Sequence, residues 1–277
     1  MAELALFIEN ISEKSANTQK TYKTQYNKLI NLLGKNVAES SEKKVMEVAL
    51  DQPNNNQRQA LIKIAILIRR LEKLSTTKLE DLREKLKVKI NTNVKEKNII
   101  LQDTLPSYQD LIEFTEYLYA AKDHIGYAIN YLLINYQVRN QDLVFDIVKT
   151  KDETKDDTKN YMLIGKAKLT YIRNNYKTKD VYGQKIIIIK DSKFISVVKN
   201  LLKDGKDCIV PNLSQVGYYV QKATYKQLGE GNYFKIILNH FRADFGKLRE
   251  ISENRGTSLD TMSNSYDIQN VENDLEK

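Results

Sequence analysis

The chain has 277 residues, one cysteine, two histidines and a formal net charge of +8, with a sequence pI near 9.1. A single cysteine excludes an internal disulfide and favours a reducing compartment, and so few Cys and His residues exclude a structural zinc site. The length favours two domains, and the positive charge favours a polyanionic partner over an acidic small molecule.

The basic charge is concentrated in two blocks. Residues 1–100 carry 19 Lys and Arg against 12 Asp and Glu, and residues 166–206 carry 11 against 3. Residues 101–165 are acidic, with 6 basic against 11 acidic side chains. Two basic blocks are expected if two parts of the chain hold one nucleic acid, and a solvated basic surface without a partner is the alternative.

The sequence predicts an intracellular protein with no membrane partner. Its first residues, MAELALFIENISEK, include acidic side chains from the third position and lack the basic start and long apolar run of a signal peptide. The apolar runs at 61–68 and 186–189 are too short to cross a bilayer.

Residues 1–92 have the pattern of a helical bundle. An apolar stripe with spacings of four and three predicts a helix that begins after Ser15 and ends at Gly34. Further helices are predicted over 42–50, 57–74 and from 78 towards 89. Lys20, Lys23 and Lys28 lie off the apolar stripe. A solvated face is the usual explanation for one such lysine, but for the set we predict a DNA-binding face.

Residues 93–106 lose helical periodicity and end at a proline, so we predict a linker there between a helical domain at 1–92 and a second domain at 107–277. Ser107 is the predicted N-cap of a helix that runs to about Ala121, and another helix is predicted from His124 to Tyr136.

Strand patterns follow at 143–148, 161–173 and 184–189, and predict a small three-stranded antiparallel sheet. The fold class is therefore mainly α with a small antiparallel sheet, an α+β fold. Lys177 and Lys179 are predicted at the tip of the last hairpin. Lys179 is assigned to edge protection and counted with the candidate DNA-binding lysines, whereas Lys177 is the candidate for chemistry. Asp191 is the predicted N-cap of a helix over 192–202. A further helix is predicted over 213–228, where a stripe of Tyr218, Tyr219 and Tyr225 is expected to pack in the core, with base stacking as the alternative.

Arg139 and Asp142 lie one turn apart at a predicted junction between helix and strand. Such a pair is usually an ordinary surface ion pair, but apolar neighbours make that explanation less expected here. Near the end of the chain, Arg242 precedes a glycine turn and Tyr266. An arginine that can bind a phosphate and a tyrosine that can attack it are components of metal-free phosphodiester chemistry.

Taken in order, the chain offers a basic helical region with SANTQKTYKTQYNKL, then VRNQDL at a helix end, YKT on a hairpin, NHFR on a helix, and RGTS followed by SY. This resembles the tyrosine recombinase, or phage-type integrase, family over nearly the whole chain. The resemblance implies a helical DNA-clamping domain, a mixed catalytic domain, double-stranded DNA as partner, a homotetramer on paired DNA sites, and a covalent 3′-phosphotyrosyl intermediate. It implies neither a cofactor nor a metal.

The resemblance also implies roles for individual residues. Arg139 corresponds to the first catalytic arginine, supported by Asp142, and Lys177 corresponds to the hairpin lysine that acts as general acid. Arg242 corresponds to the second arginine, and Tyr266 corresponds to the nucleophile, ten residues after the glycine of the turn.

The chain departs from the family pattern at three points. Asn239 stands at the histidine position of the box, with His240 beside it, and these two are the candidate proton acceptors for the tyrosine. Thr257 stands where the family often has His or Trp, and the interval from Arg242 to Gly256 is shorter than usual.

Two alternatives to a recombinase stay open. A type IB topoisomerase would use similar groups as a monomer, whereas the N-terminal bundle and a tail of 11 residues after Tyr266, short enough to dock on a neighbour, favour the recombinase. A catalytically degenerate DNA-binding protein is favoured by Asn239 and Thr257. The lack of a carboxylate cluster in the sequence disfavours a two-metal nuclease.

Overall fold

A computed structural model of the chain describes residues 2–102 and 104–267. The tail on which the docking prediction depends begins at Asp267, and its residues 268–277 lie outside the described residues. The chain divides into two compact units, Met1–Glu96 and Lys97–Lys277. In the described part, no helix combines the length and the apolar character that a membrane span requires.

The first unit is helical. Its helices are α1 (Ala2–Ile11), α2 (Ala16–Leu33), α3 (Glu42–Leu50), α4 (Asn55–Leu71) and the greater part of α5 (Thr77–Gln102). The predicted ends of α2 are confirmed: the hydroxyl of Ser15 caps its first turn, and Gly34 ends it with a left-handed φ of 68°. Helix α1 was not among the predicted helices, and its Phe7 stacks on Tyr26 of α2 in the core of this unit.

Helix α5 is longer than the sequence pattern indicates. The loss of periodicity after residue 90 predicts an irregular segment, but the chain stays helical through Gln102. A tertiary contact within the second unit explains the difference. Asn98, which belongs to that unit, is buried and donates hydrogen bonds to the backbone carbonyls of Ser265 and Asp267 at 3.3 and 3.1 Å.

The second unit combines helices with one small sheet, which confirms the α+β class. Its helices are α6 (Tyr108–Ala120), α7 (His124–Tyr136), α8 (Lys179–Tyr182), α9 (Ser192–Lys203), α10 (Val216–Ala223), α11 (Glu230–His240), α12 (Phe245–Arg255) and α13 (Leu259–Tyr266). The caps predicted for α6 and α9 are confirmed, with Ser107 and Asp191 accepting from the backbone of the first turn.

The sheet has four strands in the order β1 (Asp146–Val148), β2 (Tyr161–Ile164), β3 (Leu169–Arg173) and β4 (Lys185–Ile189). The predicted purely antiparallel, three-stranded sheet is wrong in two respects. A tight turn at Gly165, whose N–H donates to Lys168 O, divides the segment 161–173 into β2 and β3. Strand β1 pairs with β2 in parallel, so the sheet is mixed.

The hairpin of β3 and β4 places two basic residues opposite each other. In the antiparallel register, Arg173 at the end of β3 pairs with Lys185 at the start of β4. Arg173 is fully buried, and the segment between the strands contains the short helix α8. The end of this hairpin next to the connecting segment therefore carries two cations on neighbouring strands.

Helix α10 is shorter than the predicted 213–228. It ends at Ala223, and the chain turns at Thr224, whose hydroxyl hydrogen-bonds to Val220 O and Leu228 O. This side chain to backbone bonding competes with continuation of the helix. Of the tyrosines predicted to pack in the core, Tyr219 and Tyr225 contact it, whereas Tyr218 is exposed.

Candidate functional site

The candidate site surrounds the turn between α12 and α13. Gly256 ends α12 in a left-handed conformation with φ 63°, which leaves the carbonyls of the last turn pointing out of the helix. Side chains from three other parts of the second unit bind these carbonyls: Arg139 after α7, Thr178 in the hairpin, and Lys185 on β4.

Arg139 binds the turn through its guanidinium group. Nη1 donates to Arg255 O at 2.6 Å, and Nη2 donates to Thr257 Oγ1 at 2.6 Å and to Gly256 O at 3.3 Å. The two sequence-predicted residues Arg139 and Thr257 are thus in direct contact. Burial and the nearby charge of Arg255 lower the pKa of Arg139, while Asp142 opposes that change.

Asp142 binds the backbone of Arg139. Its Oδ2 accepts from the backbone N–H of Arg139 at 2.9 Å and from the guanidinium of Arg173. Both side chains of the Asp142–Arg173 ion pair are fully buried. Burial raises the pKa of the Asp142 carboxyl, and the charge of Arg173 opposes that rise. Arg173 also donates to Asn254 O at 2.7 Å, so the pair links the sheet to α12.

Lys185 is the hairpin lysine that faces the turn. Its ammonium group donates to Glu253 O and lies 5.5 Å from the ring centroid of Tyr176 and 5.1 Å from that of Tyr182. Burial, followed by the charge of Arg173, lowers the pKa of Lys185 to about 8. A lysine in this state can donate a proton near neutral pH.

The two lysines predicted at the hairpin tip lie in the segment between β3 and β4, but their side chains have other surroundings than the Gly256 turn. The side chain of Lys177 is exposed and forms no hydrogen bond or ion pair with any residue that the structure describes. Lys179 begins the short helix α8 and donates to Asp157 O at 3.0 Å. The sequence pattern located the hairpin but not the lysine that it directs towards the turn.

Arg255 is a second guanidinium at the turn, which the sequence analysis did not identify. It is 2% exposed, pairs with Glu230 of α11, and donates from Nη1 to Gln137 O at 3.1 Å. Its guanidinium carbon lies 3.8 Å from the ring centroid of Phe234 and 5.4 Å from that of Tyr266. Arg255 therefore joins the tyrosine to the Arg139 side of the site.

Tyr266 is the last residue of α13 and is partly exposed. Its ring packs edge-on against Phe234, with centroids 4.7 Å apart and an interplanar angle of 87°. Asn98 of α5 binds the carbonyls on both sides of Tyr266 in the chain. These contacts fix both the ring and the backbone of the candidate nucleophile.

Arg242 follows α11, and its Nε lies 3.6 Å from Asp267 Oδ2. It lines a largely apolar cavity of about 320 Å³ together with residues of α11, α12 and α13 that include Phe245 and Met262. Arg255, in contrast, contacts both the Tyr266 ring and Arg139.

Asn239 and His240 lie at the end of α11, beside the start of α6. The imidazole of His240 stacks on the ring of Tyr108, with centroids 4.2 Å apart, and both Asn239 and His240 line a cavity of about 290 Å³ with Tyr108 and Pro106. The structure thus brings Arg139, Asp142, Thr257 and, through Arg255, Tyr266 together, and places Asn239 and His240 in this separate cavity.

The candidate DNA-binding lysines of the first unit are on α2. Lys20 and Lys23 are exposed, and Lys28 is partly buried with its ammonium group 3.2 Å from Gln57 Oε1. Within residues 2–102 and 104–267, no group of three or more His, Cys, Asp or Glu side chains is arranged to hold a metal ion.

The turn should not tolerate a side chain at Gly256. A Cβ there would lie 2.5 Å from Thr178 Oγ1, and φ is left-handed. We expect Gly256→Ala to cost about 1 to 3 kcal/mol of unfolding free energy. Gly205→Ala is the matched control, because Gly205 has φ 75° but nothing within 4 Å of its Cβ position. Chemical denaturation measures the unfolding free energy of both variants. An equal loss of unfolding free energy in the two would contradict a contribution from the Thr178 contact.

No protein-family model matches the chain, and no curated protein sequence matches it. Among solved structures, the chain is similar to one titled "Crystal structure of XerA recombinase", with 15% sequence identity over 100% of this chain and 97% of that one. The TM-score of that comparison is 0.38.

Proposed function

We propose that the protein is a DNA strand transferase of the site-specific recombinase type, which cleaves and rejoins DNA through a covalent phosphotyrosyl intermediate. The observation that carries the proposal is the convergence of Arg139, Lys185 and Tyr266 on the Gly256 turn. A phosphate-binding cation, a proton donor and a hydroxyl nucleophile are the groups that this reaction requires.

Arg139 is the proposed ligand of the scissile phosphate. Its guanidinium is already oriented by Arg255 O and Thr257 Oγ1, and it rests on a backbone that Asp142 holds. Donors fixed before the reaction stabilise the charge that develops on the non-bridging oxygens without further reorganisation. In this proposal Thr257 orients the arginine and does not handle the proton.

The proposed reaction is a transesterification. The Tyr266 hydroxyl oxygen forms a bond to phosphorus as its proton passes to water, which the partial exposure of the side chain permits. The bond from phosphorus to the 5′ oxygen breaks, and that oxygen takes a proton from Lys185. The phosphotyrosyl link keeps the energy of the phosphodiester, so the reverse attack by a 5′ hydroxyl rejoins the strand without a nucleotide.

The proposed partner is double-stranded DNA, held by the helical region at 1–92 and by the domain at 107–277, with 93–106 between them. The exposed Lys20 and Lys23 on α2 and the excess of basic residues over 1–100 support this assignment. A homotetramer on paired DNA sites, an intracellular location and contributions of Lys28 and Lys179 to DNA binding belong to the same proposal.

Covalent capture tests the proposal. Binding sites are first recovered by selection from random duplexes with the purified protein. A duplex with a nick beside the cleavage point then loses the short 5′-hydroxyl strand after cleavage, which traps the protein on DNA. We expect a covalent complex whose DNA-linked peptide contains Tyr266. Absence of a complex on DNA that the protein binds would leave only the degenerate DNA-binding alternative.

Relaxation and strand-exchange assays separate the topoisomerase alternative. Relaxation of supercoiled plasmid by the monomer, without paired sites, would favour a type IB topoisomerase. Strand exchange that requires two sites in one complex would favour the recombinase. Salt dependence does not separate them, because all of these proteins release counterions on binding DNA.

The identity of the proton donor can be tested directly. We expect Lys185→Met to lower the cleavage rate by about 10²- to 10⁴-fold, because the 5′ oxygen leaves unprotonated. In the wild type, the rate should fall as the pH rises through about 8, where Lys185 loses its proton. A substrate with sulfur in place of the bridging 5′ oxygen should restore the rate of the variant, because a thiolate leaves without a proton.

Lys177→Met is the matched comparison, because Lys177 belongs to the same hairpin and is the lysine that the sequence pattern favours. If Lys185 is the acid, the sulfur substrate rescues Lys185→Met by a larger factor than Lys177→Met. The opposite order would return the role to Lys177.

A further inference from the structure

We propose that Arg255, rather than Arg242, is the second arginine of the site, and that it acts as a positioning residue for Tyr266 and Arg139. This inference rests on the proposed function. It concerns a residue immediately before the glycine turn, whereas the family pattern assigns the second arginine to the box at 239–242.

Arg255 contacts both groups that must meet at the phosphate. Its carbonyl accepts from Arg139 Nη1 at 2.6 Å, and its guanidinium lies against the rings of Phe234 and Tyr266. Phe234 also packs edge-on against Tyr266, so the guanidinium and the two rings lie against one another. Replacing the Arg255 side chain removes its contacts with both rings and leaves its carbonyl in place.

The charge of Arg255 is held where an anion would be stabilised. The side chain is 2% exposed, and its Nε has no hydrogen-bond partner among the described residues. The charge of Arg255 lowers the pKa of Arg139, although Asp142 and Glu230 oppose that change. The buried guanidinium of Arg255 and the partly exposed one of Arg139 repel each other, and an anion bound beside them relieves that repulsion.

Arg242 has different surroundings. Its Nε is near the carboxylate of Asp267, and its side chain lines the apolar cavity with Phe245 and Met262. We assign to Arg255 the role of second cation for two reasons taken together. Its guanidinium carbon lies 5.4 Å from the ring centroid of Tyr266, and it carries a buried charge in the residue whose carbonyl binds Arg139.

The test separates a charge effect on catalysis from a structural role of the ion pair. Arg255→Met leaves the carboxylate of Glu230, whose side chain is 16% exposed, without its partner, and should lower the thermal midpoint by about 5 to 10 °C. The double variant Glu230→Gln with Arg255→Met removes both charges and should recover most of that midpoint. We expect both variants to form the covalent complex at least about 100-fold more slowly than the wild type at saturating DNA.

Arg255→Lys provides the conservative comparison. It keeps the positive charge but loses the planar group that stacks on Phe234, so we expect a rate between those of the wild type and Arg255→Met. Recovery of the wild-type rate in the double variant would overturn the inference, since the role of Arg255 would then be structural. A larger loss in Arg242→Met than in the double variant would also overturn it.

The failure of this inference differs from the failure of the proposed function. If the wild type forms no covalent complex on bound DNA, the proposed function fails and the inference fails with it. If the wild type forms the complex and the double variant forms it equally fast, only the role of Arg255 fails.

Discussion

Tyr266→Phe is expected to abolish the covalent complex with nicked DNA while the folded structure and DNA affinity are retained. The substitution removes only the hydroxyl oxygen, which is the proposed nucleophile. The ring contacts with Phe234 and the guanidinium of Arg255 do not need that oxygen, so the end of α13 should keep its position. Denaturing gel electrophoresis of the trapped complex measures the loss, and DNA titration measures the affinity.

Tyr218→Phe is the matched control for this substitution. Tyr218 lies on α10, its side chain is exposed, and it belongs to no part of the proposed site. It should form the covalent complex at the wild-type rate. A complex of undiminished yield with Tyr266→Phe would disprove the nucleophile assignment, and with it the proposed reaction.

Local signals in the sequence were sufficient to predict several helix ends. Ser15, Ser107 and Asp191 are polar side chains placed before apolar periodicity, and each caps the predicted helix. Gly34 closes α2 in the left-handed conformation that glycine favours. Caps act over three or four residues, so their effect does not depend on distant parts of the chain.

One contact between two residues of the candidate site is also local in origin. Arg139 and Asp142 are three residues apart, and the carboxylate binds the backbone N–H of Arg139 within one turn. The contact of Arg139 with Thr257 spans 118 positions, and although both residues were candidates, the sequence did not predict that they touch.

The missed residues depend on pairings that chain spacing does not determine. Lys185 faces the turn because the register of β3 and β4 places it opposite Arg173, whereas Lys177 lies beyond the paired residues. Arg255 joins the site through contacts with Glu230 and Phe234 on another helix. Spacing along the chain favours a lysine at the tip and an arginine in the box, but it carries no information about these contacts.

Helix α5 shows the same limitation in secondary structure. Its last two turns have weak amphipathic periodicity, which favours an irregular segment when the sequence is considered alone. Burial of Asn98 and its hydrogen bonds to the backbone around Tyr266 stabilise the helix there. An asparagine in a weak helical pattern gives no sign of such partners, which lie 167 and 169 positions away.

Asp142→Ala is expected to produce the largest loss of stability. The substitution leaves the guanidinium of Arg173 fully buried without its carboxylate, and the backbone N–H of Arg139 loses its acceptor. Removing one partner of a buried ion pair costs about 3 to 5 kcal/mol. Chemical denaturation should show this loss, whereas Glu116→Gln, which removes a half-exposed pair with Lys193, should cost no more than about 1 kcal/mol.

A double variant separates the two consequences of losing Asp142. In Asp142→Leu with Arg173→Met the buried charge is removed along with its partner, and well-packed apolar replacements of such pairs are often close to neutral in stability. We therefore expect the double variant to recover most of the unfolding free energy.

Covalent capture should nevertheless stay impaired in that double variant, because Arg139 still lacks the carboxylate that holds its backbone and α12 lacks the bond from Arg173 to Asn254 O. Wild-type capture by the double variant would contradict this expectation. It would mean that the pair only neutralises a buried charge and that the Gly256 turn alone orients Arg139. Stability restored without capture would instead place Asp142 among the groups that position the phosphate ligand.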